Sequence, residues 1–284
     1  MKSIIRFTSF VVIMLGTVTS YAQLSNPKPT DNQYNAQSVR PVRSHDIMWK
    51  KSLWFRIDLR SKINSGFYAQ NREITKVIID AVKSGKLQPF KNDSLSTRMS
   101  QEEFIQGLRI PQTEREEIMF EDNWESTQEE NANWGTNTNE TVELGPEEYL
   151  ARQLYVIELK EDLIFDKRRS RMIHDPLAIT ILIPSEVNPT GIDKVLASFS
   201  YKELVENVFR NDPNAVWFNS QNAAAHMSLE HAFDLRLYDG LLVKYENPRD
   251  NRIVDIYGEG KRGLIKSQEA LYKLMEYEAT LWSY

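Results

Sequence analysis

Apolar residues recur at helical spacing early in the chain. Met48, Phe55, Leu59 and Ile63, joined by Ile47 and Trp54, predict a helix over residues 45–64, capped by Ser44 and stopped by Gly66. A second stripe, Ile74, Val77, Ile78, Ala81 and Val82, predicts a helix over 72–84, and Gly85 stands where a left-handed C-terminal cap favours glycine. Residues 86–91 read as a short strand. Ser100 and Glu103 form a capping box, opening a helix that ends before Pro111. The region 45–111 is therefore expected to be mainly helical.

Past residue 149 the period changes. Residues 153–166 alternate, with Tyr155, Ile157 and Leu159 on one face, and 177–183 is a mostly apolar run. Between them Asp166-Lys167-Arg168-Arg169 makes a charged turn, so the two predict an antiparallel ribbon. Ser200 with Glu203 opens a helix to about residue 210, and Ser228 caps a short one ending near 236. Residues 215–219, 241–246 and 252–257 read as strands. Ser267 is expected to cap a long final helix along which Leu271, Leu274, Met275, Glu278 and Leu281 keep the helical period. The fold class expected is α+β: a helical N-terminal part, then a mainly antiparallel sheet with flanking helices over 149–284.

Three segments stand apart. Lys2 and Arg6 precede the uncharged apolar run 7–18, and Ser20-Tyr21-Ala22 offers a small-x-small cleavage site; residues 1–22 read as a signal peptide. The run is too short for the ~20 residues that span a bilayer. Residues 23–44, with Pro27, Pro29 and Pro41 among Asn, Gln and Ser, read as an extended arm. Residues 112–148 carry 12 acidic residues against one basic, Arg115, and read as an acidic linker or loop. Two tryptophans in it, Trp124 and Trp134, are candidate anchors on another subunit; Trp282 and Tyr284 at the C-terminus are candidates to dock on the chain's own core or on a neighbour.

Export would permit disulfides, but the chain has no cysteine. It therefore has no cysteine to carry a lipid, and any membrane contact is expected through a partner. The formal net charge is −5, and −7 without Lys2 and Arg6, which argues against nucleic acid. Chemistry is sparse. Gly258-x-Gly260-x-x-Gly263 has the spacing of a dinucleotide loop, but too little chain follows to complete a βαβ unit. His226 and His231 are five apart, off one helical face, and no HExxH or GxSxG occurs. No catalytic, cofactor or metal residue is assigned. A periplasmic hydrolase or a soluble ligand-binding protein remains the alternative to an interaction protein.

Several segments in order resemble the GldN/PorN family of the type IX secretion and gliding machinery. Trp54, Ile57-Asp58-Leu59-Arg60, Lys62-Ile63-Asn64 and Phe67-Tyr68 resemble its "W-x-x-IDLREKIN-x-x-LY" segment. Phe165-Asp166-Lys167-Arg168 resembles its "FDKR" turn, and Pro176-Leu177-Ala178 its "apolar-x-P-A" stretch. Phe218-Asn219 precedes Ser228-Leu229-Glu230-His231, similar to its "S-F-D-H" helix start. Glu246-Asn247-Pro248, Arg252-Ile253 and Asp255-Ile256-Tyr257 follow its "EN…R-x-I-x-D-Y", and Glu278, Trp282 and Tyr284 its "E…W-x-Y" ending. Phe67 stands where the family has an aliphatic residue, and 167–171 is unusually basic.

The resemblance implies a non-enzymatic protein without cofactor, in the periplasm and associated with the outer membrane. It implies a lipoprotein partner of the GldK/PorK type, copies of itself in a ring, and contact with the periplasmic part of a GldM/PorM-type motor shaft.

Overall fold

The computed structural model describes residues 34–111 and 148–282. The expected signal peptide, the arm as far as residue 33, the acidic segment with Trp124 and Trp134, and Tyr284 lie outside these residues.

The organising element is a five-stranded antiparallel sheet, in the order β4-β3-β2-β1-β7. Its strands are β1 (Ile47–Asp58), β2 (Val156–Asp166), β3 (Arg171–Ile183), β4 (Lys194–Ser200) and β7 (Leu241–Tyr245). Register aligns apolar residues into rows across it. Leu242, Phe55, Leu159, Ile179 and Phe199 form one row, and Ile57, Ile157, Ile181 and Ala197 the next. All nine are buried, each worth roughly 1.5–3 kcal/mol for the large side chains. The other face carries the polar row Arg56, Glu158, Thr180 and Ser198.

β1 corrects the helical expectation for 45–64. Met48 and Ile63, two of the residues at helical spacing, are 49% and 62% exposed. Leu53, Phe55, Ile57 and Leu59, at alternate positions, are 4% exposed or less, so the period that matters is two. Trp54 lies on the polar face, where Lys160 and Lys244 flank its ring and its Nε1 donates to Asp93 at 2.7 Å. An apolar residue on the polar face is what blurred the alternation. The N-terminal part is thus mixed rather than mainly helical; it supplies a strand inside the sheet, between β2 and β7. Gly66 ends no long helix. It lies against the Trp217 indole, where an added Cβ would meet Nε1 at 2.3 Å.

Helices cover the apolar face. α1 (Ile74–Lys83) buries the expected stripe, and Gly85, at φ 72°, closes it as expected, with Gly85 N–H on the Val82 carbonyl and Lys86 N–H on that of Ala81. α2 (Gln101–Leu108) starts at the Ser100 cap, whose hydroxyl accepts from Glu103 N–H at 3.1 Å, and sets Phe104 edge-on against Phe199 of β4. α3 (Tyr201–Leu204) continues as a π turn, Val205–Phe209. The expected Ser200 side-chain cap does not form, and Glu203 pairs with Arg98 instead. α4 (Leu229–Asp234) is capped by Ser228, and it follows a small ribbon of β5 (Val216–Trp217) and β6 (Met227–Ser228). In place of the strand expected over 86–91, Phe90 alone bridges to Ser198 and Arg98.

Two further expectations are corrected at the C-terminal end. Residues 252–257 hold a helix, α5 (Ile253–Tyr257), not a strand, because the Asp255 carboxylate caps its first turn by accepting from Arg252 N–H at 2.9 Å. The last helix, α6 (Lys261–Leu281), begins six residues before Ser267, whose hydroxyl instead donates to the Leu242 carbonyl at 2.7 Å and pins the helix to β7. The described part of the expected arm, 34–44, is also folded down on its own chain. Ser38 donates to Asp175 at 2.8 Å, Arg40 pairs with Asp234, Lys202 reaches the Ala36 carbonyl, and Val42 is buried.

Candidate docking surface on the C-terminal helix

The three glycines of Gly258-x-Gly260-x-x-Gly263 shape a corner. Gly258 and Gly260 have φ of 86° and 78°, a region that side chains disfavour. A Cβ on Gly263 would meet the Gly258 carbonyl at 2.9 Å. The motif therefore turns α5 into α6, and a helix rather than a strand stands immediately before it.

From this corner α6 runs with three distinct sides. The inner side holds Gly263, Ser267 and Leu281, all buried, with Ala270, Leu271 and Leu274 packed on the core. A charged side holds Lys266, Glu269 and Lys273; Glu269 accepts from both lysines, at 2.6 and 2.9 Å, and these bonds hold its carboxyl down at about 2. The third side is mostly apolar, interrupted by Gln268, and faces outward. Leu264, Tyr272 and Met275 are 48%, 63% and 54% exposed, and Trp282, just past the helix, is 56% exposed. Their spacings of 8, 3 and 7 residues put them within one stripe at 100° per residue. A surface helix ordinarily carries one apolar stripe, towards the core. A second stripe turned outward makes this face a candidate contact surface.

A groove runs along the other flank of the helix. Trp49 and Lys51 of β1, Tyr245 of β7, Tyr257 of α5, and Lys266, Lys273 and Tyr277 of α6 enclose about 500 Å³. Trp49 meets Tyr277 with ring centroids 5.2 Å apart, and the Lys51 ammonium stands 4.7 Å from the Tyr245 ring. Three lysines against Glu269 leave the groove cationic, in a chain whose formal net charge is −5.

A second cluster of titratable groups lies inside the sheet. Glu161, fully buried, accepts from Arg236 at 2.7 Å and Tyr238 at 3.0 Å, and pairs with His174 at 2.9 Å. Burial raises the Glu161 pKa, but the His174 and Arg236 contacts outweigh it and hold the carboxylate below its ordinary range. Arg236 sits at φ 53°, just past α4, where glycine is the cheap residue. The strained arginine there places a cation against the buried carboxylate. These groups satisfy one another, which is how a fold accommodates charge in its interior.

Of the residues singled out from sequence, Trp282 lies at the end of the outward stripe, edge-on to Phe165 with ring centroids 6.1 Å apart. Trp124, Trp134 and Tyr284 lie outside the described residues. The groove was missed, because Trp49 and Lys51 of β1 come beside α6 only in the folded chain, about two hundred positions on. The outward stripe was readable: Leu264, Tyr272, Met275 and Trp282 keep one helical phase that differs from the phase of Leu274 and Leu281. Met275, one of the residues expected to keep the helical period of the last helix, lies in the outward stripe.

Among the described residues no helix is long and apolar enough to cross a membrane, and no group of three or more His, Asp or Glu is placed to hold a metal. Comparison with curated proteins found no match. A family model described as gliding motility associated protein GldN matches residues 42–283. That span takes in every strand of the sheet and every helix from α1 to α6, and so the chain belongs to the GldN family of gliding motility associated proteins.

Proposed function

We propose that this chain is a non-enzymatic structural protein of the type IX secretion and gliding machinery. It is exported to the periplasm, docks on an outer-membrane lipoprotein of the GldK/PorK type and assembles with it, and with copies of itself, into a ring. The ring then contacts the periplasmic part of a GldM/PorM-type shaft.

The observation that carries this reading is the outward apolar stripe of α6 in a chain of the GldN family. The lipoprotein supplies the membrane anchor, and the stripe is the face assigned to it. A buried Trp or Met anchor at the centre of such a contact is worth about 2 kcal/mol, or roughly 30-fold in affinity.

The test is co-purification of the exported chain with its lipoprotein, sized by light scattering. A large complex formed only with the partner is expected. Met275→Asp should weaken it at least tenfold with an unchanged melting temperature, and Trp282→Ala should weaken it at least tenfold with a small loss of stability from the lost edge contact with Phe165. A stable monomer that ignores the lipoprotein would overturn the proposal. Deletion of 23–33 is the suitable test of the arm, because removing Ser38 and Val42 as well would strip contacts from the fold itself.

A further inference from the structure

We infer that the cationic aromatic groove beside α6 receives the acid-flanked Trp124 segment of a second copy of this chain. The inference rests on the ring reading above and names the contact between neighbouring copies.

Charge is the first argument. The groove brings Lys51, Lys266 and Lys273 together with Trp49, Tyr257 and Tyr277. Glu269, the acid between Lys266 and Lys273, lies at the exposed rim, so its ion pairs there are weak and exchangeable. A fitting ligand is therefore anionic and bears an aromatic ring, which can stack on the tyrosines while carboxylates meet the ammonium groups. The chain contains such a segment. Glu121, Asp122 and Glu125 surround Trp124, within a stretch having Arg115 as its one basic residue.

Position is the second argument. The segment 112–147 leaves from the Arg109–Glu148 bridge at the end of α2. α2 packs on β4, with Phe104 against Phe199 and Gly107 beside Leu196. β4 is one edge of the sheet, and the groove lies at the other, beside β1 and β7. Four inter-strand spacings of ~4.8 Å separate the edges by about 19 Å. From Pro111 to Trp124 the chain can extend up to about 44 Å, a reach sufficient for the groove of a neighbouring copy. Donor at one edge and acceptor at the other make a head-to-tail contact. Repeated, it generates a ring or a filament rather than a closed pair.

The experiment places the photo-crosslinking residue p-benzoylphenylalanine at position 124 of the full chain. Isotopically heavy and light copies are mixed, assembled with the lipoprotein and illuminated. Expected are links from position 124 to groove peptides that join heavy to light copies. The double variant Lys266→Gln, Lys273→Gln should lower their yield at least tenfold and leave the chain folded by circular dichroism, since the ion pairs it removes lie at the surface. Links confined to one copy, or falling outside the groove, in an intact ring would overturn the inference and leave the ring reading standing. Copy-to-copy groove links in a chain that ignores the lipoprotein would uphold the inference and overturn the lipoprotein-ring reading.

Discussion

Asp175→Asn should stabilise this protein at neutral pH. Asp175 lies on β3, is 6% exposed, and accepts a hydrogen bond from Ser38 at 2.8 Å. Burial pushes its pKa up to about 6, with Asp162 and Glu161 adding to the rise and Ser38 and Lys50 opposing it. In the unfolded chain the group titrates near 3.8. Between those values the native state keeps a proton that the unfolded state has released, so stability from this group is full below pH ~4 and falls as pH rises. Above pH ~6 the whole penalty is present. About two pKa units correspond to about 3 kcal/mol. Asparagine imitates the protonated acid and still accepts from Ser38. The variant should therefore match wild type at pH 4 and exceed it by up to about 3 kcal/mol at pH 7, with the gap opening between. Urea denaturation of both proteins from pH 4 to 8, compared at equal m, measures this difference free of the other titrating groups. A variant no more stable than wild type at pH 7, or a gap that does not change with pH, would refute the reasoning.

Three further outcomes follow from the packing. Gly66→Ala should cost about 1–3 kcal/mol, since its Cβ would meet the Trp217 ring at 2.3–2.9 Å, and tryptophan fluorescence during urea unfolding would report both the loss and the displaced indole. Arg236→Gly relieves a backbone at φ 53° yet leaves Glu161 without its cation, so a net loss of roughly 3–5 kcal/mol is expected by calorimetry. Gly85→Ala, at φ 72° with open space around it, should lose only about 1 kcal/mol, because strain without a clash is the whole effect.

Elements whose apolar residues share one face were legible in the sequence. α1 shows its stripe and its glycine stop, and β2 and β3 show their charged turn. β1 did not, because Trp54 on the polar face and Phe55 on the apolar one supply a false helical spacing, and pairing with β2 and β7 decides the matter. α5 is too short to display a period, and its capping carboxylate, Asp255, is the signal that identifies it. The candidate surface was half legible. Trp282 and the outward stripe are local to α6, whereas the groove joins residues about two hundred positions apart.

That separation also bears on how the protein comes into being. β1 emerges early in synthesis, yet its partners β2 and β7 begin at Val156 and Leu241. Until β2 is made β1 has both edges unsatisfied, and until β7 is made one of them, with its row of Leu53, Phe55 and Ile57 uncovered meanwhile. Such late pairing slows folding and leaves a nascent chain prone to aggregation. Truncation before Leu241 leaves β1 without one neighbour, so the chain has no shorter N-terminal version that keeps the sheet whole.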